Sequence, residues 1–347
     1  IVMRLVGSEM CIRDSIHPDL PFRRKAFIDW KGMSHGDLVQ VTNDKDPFAR
    51  EVAFVTDKDG FRNSRAISAA DIVFIGDSHT EAGNIPEDET FIALLGKQLN
   101  ATVKNLGTAL YSTPHELVVL HEYGLPCKPK VVILQISETN DLAEAAGYME
   151  WEQRGKPAPQ FKTTQTSRIA AWKRNSPTWF LYRSVFPGKM NYYPWEGLQT
   201  TASGTQQLVR FYPIEKSAVF ATNHVGWTVM KSALGKFHSA CLKNKIHLVV
   251  LYIPDKLNVL KNVAVLNPEA RKLAADIDVP ESKSLAWNLA QQCRQLGITF
   301  INPYRKMVES SRAGAFVYQP FDTHLDVGGH QLVARQLAAA ISKLSDL

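Results

Sequence analysis

Short apolar runs alternate with amphipathic stretches along most of the chain, and that pattern predicts a strand–helix repeat. Residues 71–76 (DIVFIG) are a compact run rich in β-branched residues. Residues 89–99 (ETFIALLGKQL) have helical spacing, with Phe91, Leu94, Leu95 and Leu99 on one face. Residues 102–107 (TVKNLG) read as a second strand, and residues 114–123 (PHELVVLHEY) as a helix with proline near its start. Residues 131–137 (VVILQIS) are apolar at nearly every position, as a strand covered on both faces should be. A less regular, aromatic-rich stretch occupies about 147–223. The alternation then resumes with a helix over 226–244, a strand over 247–254 (HLVVLYIP) and an excursion with some helix over 256–280. A helix over 282–296, a short strand over 299–302 (TFIN) and a last helix over 328–344 follow, with Asp326 as its expected cap. No internal repeat is present.

Strands alternating with helices imply a parallel sheet covered on both faces, an α/β fold of three layers, α/β/α. Right-handed crossovers favour a flavodoxin-like order, 2-1-3-4-5, for the five strands. Ligands in such sheets sit beyond the carboxyl ends of the strands, here between the first and third. Polar residues are therefore expected just after the first three strands.

The chain has 347 residues, 45% hydrophobic and 21% charged, which suits one large domain carrying an insertion. Residues 1–15, IVMRLVGSEMCIRDS, resemble a translated sequencing-adapter tail and are set aside from fold reasoning. Residues 16–70 form a Pro-punctuated extension, with a hairpin expected over 54–64, where Asp59-Gly60 supplies the positive φ of a tight turn. Residues 71–347 then make the main domain, with the insertion at about 147–223. Net charge is +6 without any Lys/Arg block, so a solvated surface is the plain reading and no nucleic-acid partner is expected. No apolar run approaches the ~20 residues of a membrane helix. Cys11, Cys127, Cys241 and Cys293 show no CxxC spacing, so no zinc site is expected. Neither a GxxxxGK[ST] loop nor a convincing GxGxxG turn is present, so nucleotide binding has no support.

Chemistry gathers at the strand ends. Gly76, Asp77, Ser78 and His79 follow the first strand, Gly107 closes the second, and Glu138, Thr139, Asn140 and Asp141 follow the third. Asp322 and His324 stand just before the last helix, in FDTHLDVGGH. A serine, an Asp-x-His pair, a glycine N–H and an asparagine amide make up a nucleophile, an oriented base and an oxyanion hole. Each also has a plainer reading. Asp77 and Ser78 are common helix-start residues, Gly107 suits a turn, and Asn140 suits a helix N-cap. Asp322 could cap a turn while His324 packs against the last helix.

GDSHT at 76–80, Gly107 in NLG, Asn140-Asp141 and Asp322-x-His324 before an apolar helix together resemble, in this order, the blocks of the SGNH (GDSL-type) hydrolase superfamily. The resemblance covers roughly 60–142 and 226–341, with one departure: Glu138 stands where the family usually has glycine. It implies Ser78 as nucleophile, His324 as general base and Asp322 as the residue orienting it. The N–H groups of Ser78 and Gly107 and the Asn140 amide would form the oxyanion hole, with Asp77 and Asp141 behind them. Gly76 would let the chain turn at the strand end. His79 is expected to point away into the following helix, His330 to support packing of the last helix, and His115 and His121 to be surface or capping residues.

The function implied is hydrolysis of a carboxylic ester through an acyl-serine, with no metal or organic cofactor. Small O-acyl groups, often acetyl, on a carbohydrate or related small-molecule ester are the expected substrates. An O-acyltransferase using the same triad on an exopolysaccharide is the first alternative, because IPDK at 253–256 and the DTHLDVGGH ending look similar to such relatives. In alginate-type enzymes the Asp-x-His precedes the GDS block, and the order here is the reverse. A non-catalytic carbohydrate-binding protein is the second alternative. Family context implies a bacterial periplasmic or exported enzyme, with any membrane association made through an N-terminal segment. Trp172, Trp179, Phe180, Tyr182, Phe186, Tyr192, Tyr193 and Trp195 would either pack a small cap of their own or stack on sugar rings.

Overall fold

The structure, a computed structural model, describes residues 17–39, 46–156, 194–213 and 223–344. Ten strands are described: β1 Asp29–Ser34, β2 Arg50–Val55, β3 Ile72–Gly76, β4 Val103–Gly107, β5 Val131–Ser137, β6 Glu196–Thr200, β7 Gln206–Arg210, β8 His247–Ile253, β9 Val265–Leu266 and β10 Thr299–Ile301. The described helices are α1 Ser78–Glu81, α2 Phe91–Leu99, α3 Thr113–Val119, α4 Asp141–Gln153, α5 Val225–Lys243, α6 Lys256–Leu260, α7 Pro268–Asp276, α8 Leu285–Leu296, α9 Tyr304–Arg312 and α10 Val327–Ile341.

The central sheet runs β10-β8-β5-β3-β4, and every pairing in it is parallel. Counted along these five strands, that is the expected 2-1-3-4-5 order. Alternation along the strands sends side chains to opposite faces. Ile72, Phe74, Val131, Ile133, Val249 and Leu251 pack on one side with α2, α9 and α10. Val73, Ile75, Val132, Leu134, Leu248 and Val250 pack on the other with α4, α5 and α8. The sheet is thus buried between two helical layers, which is why its strands read as unbroken apolar runs. The switch point falls between β4–β3 and β5, where the strand ends carry Ser78 and Asn140.

The remaining pieces lie around that switch point. β1 and β2 form an antiparallel pair. The turn at Asp57–Gly60 forms as expected, with Gly60 at φ +85°, but its second arm is only the single bridge Thr56–Arg62, because β2 takes β1 as its partner. The stretch expected to be irregular begins inside α4 and later supplies β6 and β7, which join β9 in a three-stranded antiparallel sheet. That small sheet touches the C-terminal loop, since the Arg210 N–H donates to the Pro320 carbonyl (2.9 Å). The proposed tail at 1–15 and the aromatic residues between 172 and 193 lie outside the described residues. Cys127, Cys241 and Cys293 are buried free thiols. Among the described residues no helix is long and apolar enough to cross a membrane.

Candidate active site

β3 ends at Gly76 with its neighbours pressed close. A Cβ there would stand 2.3 Å from Thr80 Oγ1 and 2.6 Å from Gln135 Oε1. The glycine expected to permit a turn is required instead for close approach, and its φ is not in the left-handed region. Asp77 then caps the single helical turn α1, its Oδ1 accepting the His79 N–H at 2.9 Å. Its own N–H donates to Gln135 Oε1 (3.2 Å). Ser78 is the first residue of α1, so its N–H has no intrahelical partner.

The last block meets this turn across 246 residues of sequence. The Ser78 hydroxyl lies 2.8 Å from His324 Nε2. His324 Nδ1 lies 2.5 Å from Asp322 Oδ1, which also accepts the His324 N–H at 2.9 Å. The three residues are buried, Ser78 keeping 6% exposure. Burial alone would raise the Asp322 pKa, but the adjacent His324 charge and hydrogen bonds hold it below the usual carboxylate value. Burial alone would lower His324, yet Asp322, Asp37 and Asp77 together raise it to about 9.

The other predicted residues are placed as follows. Asn140 is the N-cap residue of α4 at the end of β5, but its side chain makes no capping bond. Asp141 closes the same turn, its Oδ2 accepting the Ser137 N–H at 3.1 Å. Gly107 pairs with Gly76 across β3 and β4. Its N–H donates to Asn105 Oδ1 at 2.8 Å, so the oxyanion role expected of that group has no free hydrogen in this arrangement. Gly107 is needed for space: a Cβ would meet the Glu81 nitrogen at 2.5 Å and the Thr80 carbonyl carbon at 2.7 Å. Glu138 fastens the next strand end, accepting from the Asp255 N–H (2.7 Å) and Asn258 Nδ2 (3.0 Å).

The competing histidines separate cleanly. His79 does not point away, because its ring centroid lies 5.1 Å from that of His324. Burial and the nearby His324 hold it well below the ordinary histidine value, so it packs beside His324 as a neutral ring. His330 accepts the Phe91 N–H (3.0 Å) at the start of α2 and stacks on the Phe91 ring. Burial lowers it to about 3. His115 completes a capping box with Ser112, and it is buried.

Several supporting residues were not singled out from the sequence. Lys256, in the IPDK stretch, donates its Nζ to the carbonyls of Gln319 (2.7 Å), Pro320 (2.8 Å) and Asp322 (2.9 Å), pinning the loop that carries the acid. Burial lowers this amine to about 7. Arg62, from the DGFRNS turn, donates to the carbonyls of Ala82 and Ile85 just behind α1. Arg24 grips Glu81 with two bonds of 2.8 Å. Asn63 and Asn105 exchange bonds, and Asn105 Nδ2 reaches the Thr80 carbonyl at 2.9 Å. The extension over 16–70 therefore braces the nucleophile turn. Among the described residues, the one group with metal-ligand spacing is Asp37, Asp322 and His324. It could hold a cation only by giving up the His324–Asp322 hydrogen bond.

Fold and site define a Ser-His-Asp arrangement at the carboxyl edge of a 2-1-3-4-5 parallel sheet, which is what the SGNH resemblance implies. Similar solved structures include a GDSL-like lipase from Bacteroides thetaiotaomicron, 12% identical, with a TM-score of 0.38 over 78% of this chain and 87% of that one. They also include a catalytic mutant of an acetylxylan esterase from Geobacillus stearothermophilus, 12% identical, with a TM-score of 0.41 over 80% of this chain and 95% of that one. An α/β hydrolase from the metagenome of Lake Arreo is 12% identical, with a TM-score of 0.40 over 81% of this chain and 99% of that one. These are likenesses at low identity, and the arrangement of Ser78, His324 and Asp322 stands on its own distances. No protein-family model and no curated protein sequence matches the chain.

Proposed function

We infer that the protein is a serine ester hydrolase working through an acyl-serine. The observation that carries this reading is the unbroken line of short contacts from Ser78 Oγ to His324 Nε2 (2.8 Å) and from His324 Nδ1 to Asp322 Oδ1 (2.5 Å). Neutral His324, with its proton on Nδ1 and shared with Asp322, accepts the Ser78 proton at Nε2. The Ser78 oxygen attacks the ester carbonyl. Imidazolium then returns the proton to the leaving alcohol, and water repeats the sequence to free the acid. The Ser78 N–H and the uncommitted Asn140 amide are the donors for the tetrahedral oxyanion, and removing one such donor typically costs about 10²–10³ in kcat. The substrate we favour is a small O-acyl ester, acetyl above all, on a carbohydrate.

The test is p-nitrophenyl acetate hydrolysis by wild type beside Ser78→Ala, with intact-mass detection of a fluorophosphonate adduct. Turnover and a labelled Ser78, both lost in the variant, are expected. A folded wild type that neither turns over nor labels overturns the reading. If turnover appears only when a sugar acceptor is added, the enzyme is an acyltransferase built on the same triad.

A further inference from the structure

Asp37 lies in the N-terminal extension, far from every motif that points to the site, yet the fold lays it against the histidine. Two contacts fix its segment there. The Leu38 N–H donates to the Phe321 carbonyl (3.2 Å), and Asp46 Oδ2 accepts the Gly36 N–H (2.7 Å). A Cβ on Gly36 would come within 2.2 Å of the Phe321 oxygen, so only glycine allows the segment this close. Asp37 then brackets the residue between the acid and the base: its Oδ1 accepts the Thr323 N–H (3.0 Å) and its Oδ2 the Thr323 hydroxyl. That places Asp37 Oδ2 3.9 Å from His324 Nδ1, the same nitrogen that serves Asp322.

We propose that Asp37 is a positioning residue for the base: it fixes the Asp322–His324 turn through Thr323 and sets a second carboxylate behind His324. This rests on the reading of His324 as general base. The reaction makes an imidazolium at His324, and a negative charge 3.9 Å away favours that ion over the neutral ring. Asp322 carries the hydrogen bond to Nδ1, and Asp37 adds charge without competing for the proton. When Asp322 cannot accept, Asp37 is the nearest carboxylate to take its place.

The titratable groups that face His324 are Asp322, Asp37, Asp77, His79 and His330, with Lys256 beneath the Asp322 loop. Burial and the Asp322 charge raise Asp37 to about 7, so it is ionised where His324 titrates, at about 9. Replacing it by asparagine removes a negative charge from beside the imidazolium.

The experiment compares wild type, Asp37→Asn, Asp322→Asn and the double variant. Asp37→Asn is expected to move the low-pH limb of kcat/KM about one unit toward acid. It is also expected to lower kcat about tenfold at nearly unchanged KM. Asp37→Glu, which keeps the charge, is expected to restore most of the limb. Asp322→Asn should keep a residual rate that the double variant loses by more than the two single losses predict. An unmoved limb in a folded Asp37→Asn overturns the proposal and leaves Asp37 a structural brace. If that variant does not fold, NMR titration of the wild-type His324 ring should report two steps, one from Asp37 near 7, and a single step counts against the proposal. The NMR readout needs no turnover. A wild type that fails as an esterase but shows both steps sinks the functional reading alone.

Discussion

Behind His324, the oxygens of Asp322 and Asp37 face N–H and O–H donors and the His324 ring. Asp322 is held below the usual carboxylate value there. Under the Ser78 turn, Asp77, Glu116 and Asp141 are as buried as Asp322, and more so than Asp37, but poorly served. Asp77 Oδ2, Asp141 Oδ1 and both Glu116 oxygens have no partner among the described residues, and neither does Gln135 Nε2. Burial raises all three acids, Asp77 to about 6, and the charge of Asp77 pushes the other two up further. Three carboxyl groups this close cannot all be ionised in a dry interior. Buried carboxyl groups therefore differ with their surroundings. Asp322 is held below the usual value by the hydrogen bonds and charge of His324, whereas its neighbour Asp37 is raised to about 7, Asp77 to about 6, and Glu116 and Asp141 well above their usual values.

The sharpest way to break this comparison is to make the same substitution on both sides. Asp322→Asn leaves His324 without its acceptor and offers an amide donor in its place, which favours the wrong tautomer. A fall in kcat of about 10³–10⁴ is expected, with KM nearly unchanged. Asp141→Asn replaces a carboxyl group that burial raises above its usual pKa by an amide of the same shape and keeps an oxygen for the Ser137 N–H. It should alter kcat less than about tenfold. Steady-state kinetics of the two variants side by side decide the matter. Equal losses would mean that the two acid groups do not divide their work in this way.

A smaller loss is expected where the acid's loop is held. Lys256→Met keeps the stem's packing but takes away a donor shared by three carbonyls; those of Gln319 and Pro320 still accept the Asp322 and Arg210 N–H groups, while that of Asp322 loses the Lys256 amine. One such loss costs about 1–3 kcal/mol, so a drop in denaturant midpoint is expected. The loop's acid shifts with it, and kcat should fall about tenfold to a hundredfold. Normal stability with a reduced kcat would mean that water replaces the amine and that only the geometry suffers.

How much of this the sequence declared follows from the range of the interactions. The sheet was legible because β3, β5 and β8 are buried on both faces, and such strands must be apolar throughout. Ser78, Asp322 and His324 were legible because a parallel sheet presents chemistry at its carboxyl edge, and because the Asp-x-His spacing is local. Asp37 left no such trace, and Lys256 stood in the IPDK stretch without a task. Asp37 bonds to Thr323 across 286 residues and Lys256 reaches Asp322 across 66, contacts that no local pattern spans. Gly107 stands at the expected strand end with its N–H donated to Asn105 Oδ1 and its surroundings crowded, and a sequence shows a glycine without showing what crowds it. His79 was misjudged for a related reason: the one-turn helix α1 ends at Glu81, too short to carry that ring away from the site.

The least effect is expected under the nucleophile, and it concerns stability. A buried acid with a raised pKa keeps its proton in the folded state after the unfolded chain has released it. Stability then falls as pH rises above the ordinary values, 3.8 for Asp and 4.5 for Glu, until the folded groups ionise, Asp77 at about 6 and Glu116 above its usual range. His324 adds to the trend: its contribution is full below 6.5 and is lost as pH rises through about 9. Asp322 acts oppositely, stabilising above 3.8 and losing that effect as pH falls through its lowered value. Other buried groups act against this trend: His79, His115 and His330, lowered by burial, cost stability as pH falls below 6.5, and Lys256, lowered to about 7, costs stability below 10.5. Glu116→Gln isolates the contribution of one raised acid, because the amide cannot ionise. Its Tm should exceed that of wild type by roughly 2–4 °C at pH 8 and match it at pH 4. If the two unfolding curves instead stay parallel across that range, Glu116 is ionised and partnered in solution, and the two groups of acids are less unlike than their surroundings make them.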